Sequence, residues 1–262
     1  LPANSTWTSV TGSASSGGPV ARVLDSKGTA SSCLSLVADD AYPQAPRIAN
    51  EMLARRELTS QGAKARRLLL EALISEPNRE LFGLEGYGPE RAMYEEALRA
   101  SGIHRKVQGR WQISRPSSPE WQPVWDEIAR TVQKSISGRM SVTELLQPLT
   151  LPPYGLKDGL LPVLLVAFLI NQSDDVALYE HGSLVLALDD AVVERLAKNP
   201  GNFALKYVAA TKGLRNSVVQ AVASELRISS ADEAPTFLQV VRAVFKWMKQ
   251  LPPYAQLIDE GL

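Results

Sequence analysis

Hydrophobic residues follow a helical spacing in the segment after residue 46. Apolar positions recur every three or four residues in three stretches, which predicts three amphipathic helices. Thr59 or Ser60 is suited to cap the second of them, and Pro77 to end it. Pro89 stands near the first turn of the third, where a missing amide hydrogen costs least.

The pattern then changes to that of two short strands. Residues 103–107 and 110–114 flank a turn at Gln108 and Gly109, and Pro116 closes the pair. Three helices followed by a hairpin is the order of a winged helix, whose third helix usually enters the major groove of DNA while the hairpin lies along the backbone or minor groove. Residues 46–116 are therefore predicted to form a first winged-helix-like unit.

A similar order of elements follows a boundary at residues 117–119. Apolar spacing predicts a helix over residues 121–136 and a strongly apolar helix over residues 156–172. Between them, Ser141 and Glu144 form the signature of a capping box at the start of a short helix.

A second hairpin is predicted next, because residues 174–188 alternate between apolar and polar around a turn near Glu180 and His181. Asp189 or Asp190 then caps a helix that stops at Pro200. Residues 117–202 are thus predicted to form a second winged-helix-like unit. Its turn lacks a basic cluster, which favours packing against protein.

The two ends of the chain differ from this middle part. Residues 1–45 are predicted to be an extended arm, since a stretch rich in Ser, Thr, Gly and Ala cannot repay its ordering entropy. Residues 203–262 are predicted to form C-terminal helices, with helical segments at 205–208, 214–226 and 237–249. The predicted fold class is mainly α with short β-hairpins, as two winged-helix-like units plus a C-terminal helical segment.

Composition narrows the classes of partner. The formal net charge is zero, so no global field holds the chain on nucleic acid or an anionic membrane. Residues 46–115 carry 13 Lys or Arg against 9 Asp or Glu, whereas residues 116–262 carry 13 against 16. This mildly basic first half is typical either of a local polyanion contact or simply of a solvated helical surface.

Cysteine content and hydropathy indicate the compartment. Cys33 is the single cysteine, so an intrachain disulfide is impossible and a reducing, cytoplasmic setting is expected. The longest apolar run, residues 160–170, is short of the roughly 20 residues needed to cross a bilayer. We expect it to be a buried helix, without membrane association.

Catalytic motifs are not evident. The run from Leu184 to Asp190 resembles the apolar strand and acidic pair that hold magnesium in many ATPases, but no glycine-rich phosphate loop accompanies it. Asp39-Asp40 and Asp174-Asp175 fit turn or cap roles better than a metal site. His104 is expected at a helix end or on the wing surface. No enzyme activity, cofactor or metal is predicted.

The basic residues of the first hairpin are the best candidates for phosphate contact, because such contacts position a protein on DNA. Two arginines of the second helix are expected to support them. The predicted DNA-binding residues are Arg66, Arg67, Arg105, Lys106, Arg110 and Arg115.

Three groups of motifs carry a family resemblance. They are LSLVADDAYPQAPRIANE at 34–51 with RRELTS at 55–60, GLEGYGPE at 83–90 with GIHR at 102–105, and PPYGLKDG at 152–159 with ALYE at 177–180. Together they resemble segments of very large prokaryotic P-loop ATPases of phage-defence gene clusters, over roughly residues 34–254. The resemblance implies a helical and winged-helix region that couples ATP turnover elsewhere to DNA or to partner subunits. Because this chain has no phosphate-binding motif, ATPase activity is not carried over to it.

Two functions remain open from the sequence. One is a binding and coupling region that contacts double-stranded DNA through the first winged unit. The other is a protein interaction scaffold whose winged units pack on other domains or subunits of an ATPase assembly, without DNA contact.

Overall fold

The computed structural model describes residues 30–55, 57–208, 214–228 and 235–252. The chain consists of two units, Leu1–Pro43 and Gln44–Leu262. The predicted boundaries at residues 116 and 202 both fall inside the second unit, and the division into two winged units stays a prediction.

In the first unit, helix α1 covers Ala30–Ala41. The prediction of an extended arm over residues 1–45 is therefore wrong for this stretch. Leu34, Val37 and Ala41 recur at helical intervals, and neither glycine nor proline interrupts them. Residues 1–29 of the predicted arm lie outside the described residues.

The second unit begins with three helices, which confirms the helical pattern of this region. Helix α2 covers Glu51–Ala54, α3 covers Ser60–Ser75, and α4 covers Pro89–Tyr94 and continues as a π-helical turn over Glu95–Arg99. A 3-10 turn, Glu80–Gly83, separates α3 from α4. The side chain of Thr59 accepts a hydrogen bond from the amide of Gly62 at 3.2 Å, so Thr59 is the cap of α3.

The first hairpin is confirmed. Strand β1, His104–Val107, pairs antiparallel with β2, Arg110–Ile113. Gln108 and Gly109 both have positive φ, of 49° and 84°, as in type I′ turns, whose twist suits a tight hairpin. The glycine meets this requirement without the steric cost that a side chain would add.

Further helices follow the hairpin. Helix α5 covers Gln122–Gln133 with a 3-10 extension over Lys134–Ile136, α6 covers Val142–Thr150, α7 covers Leu161–Asn171, and α8 covers Asp190–Lys198. Ser141 caps α6, and Asp189 caps α8 by accepting a hydrogen bond from the amide of Val192 at 2.8 Å. The predicted start of α7 is early by five residues, because Pro162 occupies the first turn of the helix.

A four-stranded antiparallel sheet stands where one hairpin was predicted. Strand β3 covers Met140–Ser141, β4 covers Val176–Glu180, β5 covers Ser183–Leu184, and β6 covers Phe203–Tyr207. Their spatial order in the sheet is β3-β6-β4-β5. The predicted helix at residues 205–208 is wrong, since most of this stretch belongs to β6. Buried Phe203 and Leu205 alternate there with half-buried Ala204 and Lys206, which is the period of a strand.

The two faces of this sheet have different neighbours. Leu178 lies opposite Leu205, and both are buried in the main hydrophobic core with helices α3 to α8. Helix α7 lies almost wholly inside that core. Ala177, opposite Lys206, and Tyr179, opposite Ala204, belong to the other face of the sheet, because successive residues of a strand point to opposite sides.

Two C-terminal helices complete the described chain, as predicted. Helix α9 covers Leu214–Glu225 and α10 covers Phe237–Gln250, and they share a small core of Val219, Ala223 and Val240. Among the described helices, none combines the length and apolar character required to cross a bilayer.

Candidate functional site: the basic hairpin and an apolar groove

The base of the first hairpin is a closed aromatic cluster around His104. This side chain is 1% exposed and its ring lies 4.1 Å from that of Phe82 and 5.0 Å from that of Trp111, measured between centroids. The imidazole Nδ1 shares a hydrogen bond of 2.8 Å with the hydroxyl of Tyr94. The expectation of a surface role for His104 is therefore wrong, because its side chain lies on the face of β1 that packs against α4.

Burial also fixes the protonation state of this histidine. It lowers the pKa of His104 to about 4, with a smaller opposing effect of the Pro77 carbonyl. His104 is thus neutral at pH 7 and supports the hairpin instead of offering a charge to a ligand.

Two of the four predicted wing cations are engaged within the protein. The guanidinium of Arg105 donates to the carbonyl of Gly102 at 2.5 Å and to that of Arg115 at 2.7 Å. Arg115 itself forms a two-pronged ion pair with Asp126 of α5, with distances of 2.8 and 2.7 Å. These hydrogen bonds lower the pKa of Asp126 and raise that of Arg115. Both arginines hold the base of the hairpin against the start of α5.

Lys106 and Arg110 remain available to a ligand. Both side chains are exposed, and neither forms an ion pair or a hydrogen bond with the part of the chain that the structure describes. Lys106 lies opposite Trp111 and Arg110 lies opposite Val107, so the two cations occupy opposite faces of the hairpin near its turn. The segment His104–Ile113 contains no Asp or Glu that would compete for them.

Arg66 and Arg67 lie elsewhere, along a groove between α3 and α8. Arg66 donates to the carbonyl of Asp158 at 3.1 Å, and burial lowers the pKa of its guanidinium. Arg67 pairs with Glu71 one helical turn away at 2.9 Å. The six predicted residues therefore do not form one surface, because both helical arginines face the second half of the molecule.

Three acidic residues of the second half have structural roles. Asp189 caps α8, and Glu180 pairs with Arg195 at 2.5 and 2.8 Å. Asp174 accepts a hydrogen bond from Gln239 of α10 at 2.8 Å. Within the described ranges, no three His, Cys, Asp or Glu side chains are grouped closely enough to hold a metal ion.

A large apolar groove lies between the outer face of the four-stranded sheet and helices α9 and α10. Its volume is about 1260 Å³. Its apolar walls are formed mainly by Leu184 of β5 and Leu186 just after it, Val218 and Val219 of α9, and Val241 and Phe245 of α10. Tyr179 and Lys206 of the sheet form its floor.

The charged residues of this groove all have one sign. Arg139, Lys206 and Lys249 line it, and no Asp or Glu is among the described lining residues. The guanidinium of Arg139 stacks on the ring of Tyr179 at 3.8 Å and donates to the carbonyl of Gly182 at 2.9 Å. Its position at the rim is therefore set by the protein before any ligand binds.

Sequence reasoning did not find this groove. It predicted α10 and its apolar stripe, but the stripe alone does not show which part of it is covered. An available signal was the alternation in residues 203–207, which marks a further strand and hence a sheet face for α9 and α10 to cover. Comparison of the chain with models of protein families, with curated proteins and with solved structures gives no match.

Proposed function

We propose that this chain is a non-catalytic binding and coupling region of a larger ATPase, and that it contacts DNA through the first hairpin. The single observation that supports DNA contact is the exposure of Lys106 and Arg110, without partners in the described chain, beside a tight turn. The ATPase context rests on the sequence resemblance alone.

The order of elements supports a winged-helix interpretation of both halves. In the first half, α3 and α4 precede the hairpin as a helix pair precedes a wing. In the second half, α6 and α7 lie between β3 and β4, and β6 pairs with both of these strands. Helix α8 would then be an insertion in the second wing.

The partners of the basic residues limit the strength of the proposed DNA contact. Each phosphate neutralised contributes about 0.9 to the slope of log K against log salt concentration. Six contacts would give a slope of roughly 5, whereas the two free cations give roughly 2. The hairpin therefore supplies a weak contact that is independent of base sequence.

A salt titration tests this proposal. We expect the protein to bind duplex DNA at low salt with a slope of roughly 2, and the double variant Lys106→Ala, Arg110→Ala to lose nearly all of that slope. The matched control is Lys134→Ala, Lys157→Ala, which removes two exposed cations outside the hairpin. Fluorescence anisotropy of labelled DNA measures the affinity and its salt dependence for each double variant. Equal affinity and slope in the two double variants would reject DNA contact by the hairpin.

The apolar groove favours a second candidate function, a protein interaction scaffold without DNA contact. Its apolar walls include the exposed side chains of Val218 and Phe245, which a partner protein could cover. A gel shift at low salt separates the two functions, because a pure scaffold should not retain duplex DNA.

A further inference from the structure

We propose that the groove between the outer sheet face and helices α9 and α10 binds an acidic amphipathic helix of a partner protein. The inference deepens the scaffold role, and it does not depend on DNA contact by the hairpin. It stands on the size of the groove, the sign of its charges and the way its walls are held.

The size of the groove favours a segment of protein over a small molecule. Pockets for small ligands usually measure about 300–1,000 Å³, and this groove measures about 1260 Å³. An amphipathic helix places apolar residues at intervals of three and four into such a groove. Val218 and Phe245 are the natural contacts for them, since both line the groove and both are exposed.

The basic residues of the groove favour a partner helix that is negatively charged. With three cations and no acid among the described lining residues, and with apolar walls, the groove is complementary to a helix that carries Asp or Glu beside its apolar stripe. A basic helix would meet Arg139, Lys206 and Lys249 and be repelled. Arg139 is already stacked and hydrogen-bonded, so little side-chain entropy is lost when it pairs with a carboxylate.

The same charges argue against a second copy that presents α10. Phe237–Gln250 contains Arg242, Lys246 and Lys249 and no acidic residue. A copy of this helix laid into the groove would bring its cations toward those of the rim. The partner is therefore expected to be a different, acidic chain.

The walls of the groove are held unequally, which leaves one side accessible. The first two turns of α10 are fixed to the segment after α7, because Gln239 donates to Asp174 at 2.8 Å and Arg242 donates to the carbonyl of Ser173 at 2.8 Å. From Phe245 onward the helix is exposed, with Trp247 51% exposed. A partner helix can thus enter beside the second half of α10.

Binding of two designed peptides to the whole chain tests the proposal. One is a labelled 16-residue amphipathic helix with Leu on one face and Glu flanking it, and the other has Lys in place of every Glu. We expect the acidic peptide to bind at least tenfold more tightly than the basic one, measured by fluorescence anisotropy. Equal binding of the two peptides, or binding of neither, would overturn the proposal.

Charge reversal compares two lysines that line the groove, one on β6 and one on α10, with a lysine of α10 that does not line it. The double variant Lys206→Glu, Lys249→Glu should bind the acidic peptide at least tenfold more weakly than the unchanged protein does, and the basic peptide more tightly. Lys246→Glu changes an exposed lysine of α10 that does not line the groove, and it should alter binding less than twofold. A similar effect of both variants would show that only general charge is sensed, which contradicts a built site.

Two further variants and a sedimentation measurement distinguish the proposed peptide site from other binding modes. Phe245→Glu should abolish peptide binding while the far-UV circular dichroism spectrum stays unchanged, and retained binding would place the peptide elsewhere. Dimerisation of the chain in sedimentation that Phe245→Glu removes would show a second copy in the groove and overturn the acidic partner. The double variant Lys106→Ala, Arg110→Ala should leave peptide binding unchanged. The DNA contact of the hairpin and the peptide binding of the groove are therefore tested independently of each other.

Discussion

At the scale of single residues, His104 shows how the hairpin is joined to the helices. Its ring lies between Phe82 and Trp111, and its Nδ1 meets the hydroxyl of Tyr94. Burial raises the pKa of Tyr94 to about 12, so the phenol keeps its proton and is available to donate to the imidazole. The hairpin is thus attached to α4 by a neutral pair that water does not reach.

This burial predicts a loss of stability in mild acid. Well above pH 6.5 the imidazole is neutral in both the folded and the unfolded chain. As the pH falls, the unfolded chain takes up the proton first, because its pKa is near 6.5 while that of folded His104 is about 4. We expect the free energy of unfolding to decrease by about 3 kcal/mol between pH 6.5 and pH 4 from this group.

Urea unfolding at several pH values measures the effect, with His104→Phe as the comparison. The variant lacks the titrating group, so its unfolding free energy should vary less with pH above 4.5, where most carboxylates are still ionised. Parallel pH profiles of the two proteins would contradict the prediction. Because the variant also removes the Tyr94 hydrogen bond, an NMR titration of His104 in the unchanged protein gives a second measurement, with an expected midpoint near 4.

At the scale of secondary structure elements, Glu127 joins α5 to the turn before α7. Its carboxylate is 6% exposed and accepts hydrogen bonds from Arg130, from Thr131 at 3.1 Å and from the Tyr154 hydroxyl at 3.2 Å. Burial alone would raise the pKa of Glu127, but these hydrogen bonds outweigh it and the pKa is lowered. The charged form is therefore part of the folded structure.

Removal of this carboxylate predicts a local loss of stability. Glu127→Ala leaves the hydroxyls of Thr131 and Tyr154 without their acceptor, and we expect a cost of about 1–3 kcal/mol. Glu127→Gln keeps one acceptor oxygen and should cost less. Thermal unfolding of both variants checks the order, and an equal melting temperature for Glu127→Ala and the unchanged protein would refute it.

Local sequence signals predicted the elements whose ends are set locally. Thr59, Ser141 and Asp189 cap the predicted helices, and the turn residues of the first hairpin adopt the expected backbone. Strand β6 was missed because an alternation over only five residues is too short to distinguish a strand from a helix until its partner is known. That partner, β4, lies more than twenty residues earlier in the chain.

At the scale of the whole molecule, the sequence identified the basic residues but not their partners. The sequence predicts Arg115 to be a DNA-binding residue, but its guanidinium is paired with Asp126, which lies eleven residues away on another element. Arg66 and Arg67 looked like support for the wing and face α8. Such pairings depend on how elements pack, and a single sequence without its tertiary contacts does not specify them.

The ion pair between Arg115 and Asp126 makes a prediction about DNA binding. Asp126→Ala releases the Arg115 guanidinium, which adds one phosphate contact and should steepen the salt dependence by about 0.9. Glu120→Ala removes an equal charge from a nearby exposed residue without releasing an arginine, so it should change the slope little. Anisotropy titrations between 50 and 200 mM salt compare them. Identical slopes for the two variants would show that Arg115 does not reach the phosphates.

The one-sided attachment of α10 has a mechanical consequence. At about 1.5 Å per residue, the eight residues after Arg242 extend roughly 12 Å beyond the last attached residue. A tilt of about 10° at that residue would displace the distal end by about 2 Å, slightly more than the length of one carbon–carbon bond. The cleft beside the helix can therefore accept contact residues of different bulk through a change of angle, while the hydrogen bonds at Asp174 and Ser173 stay intact.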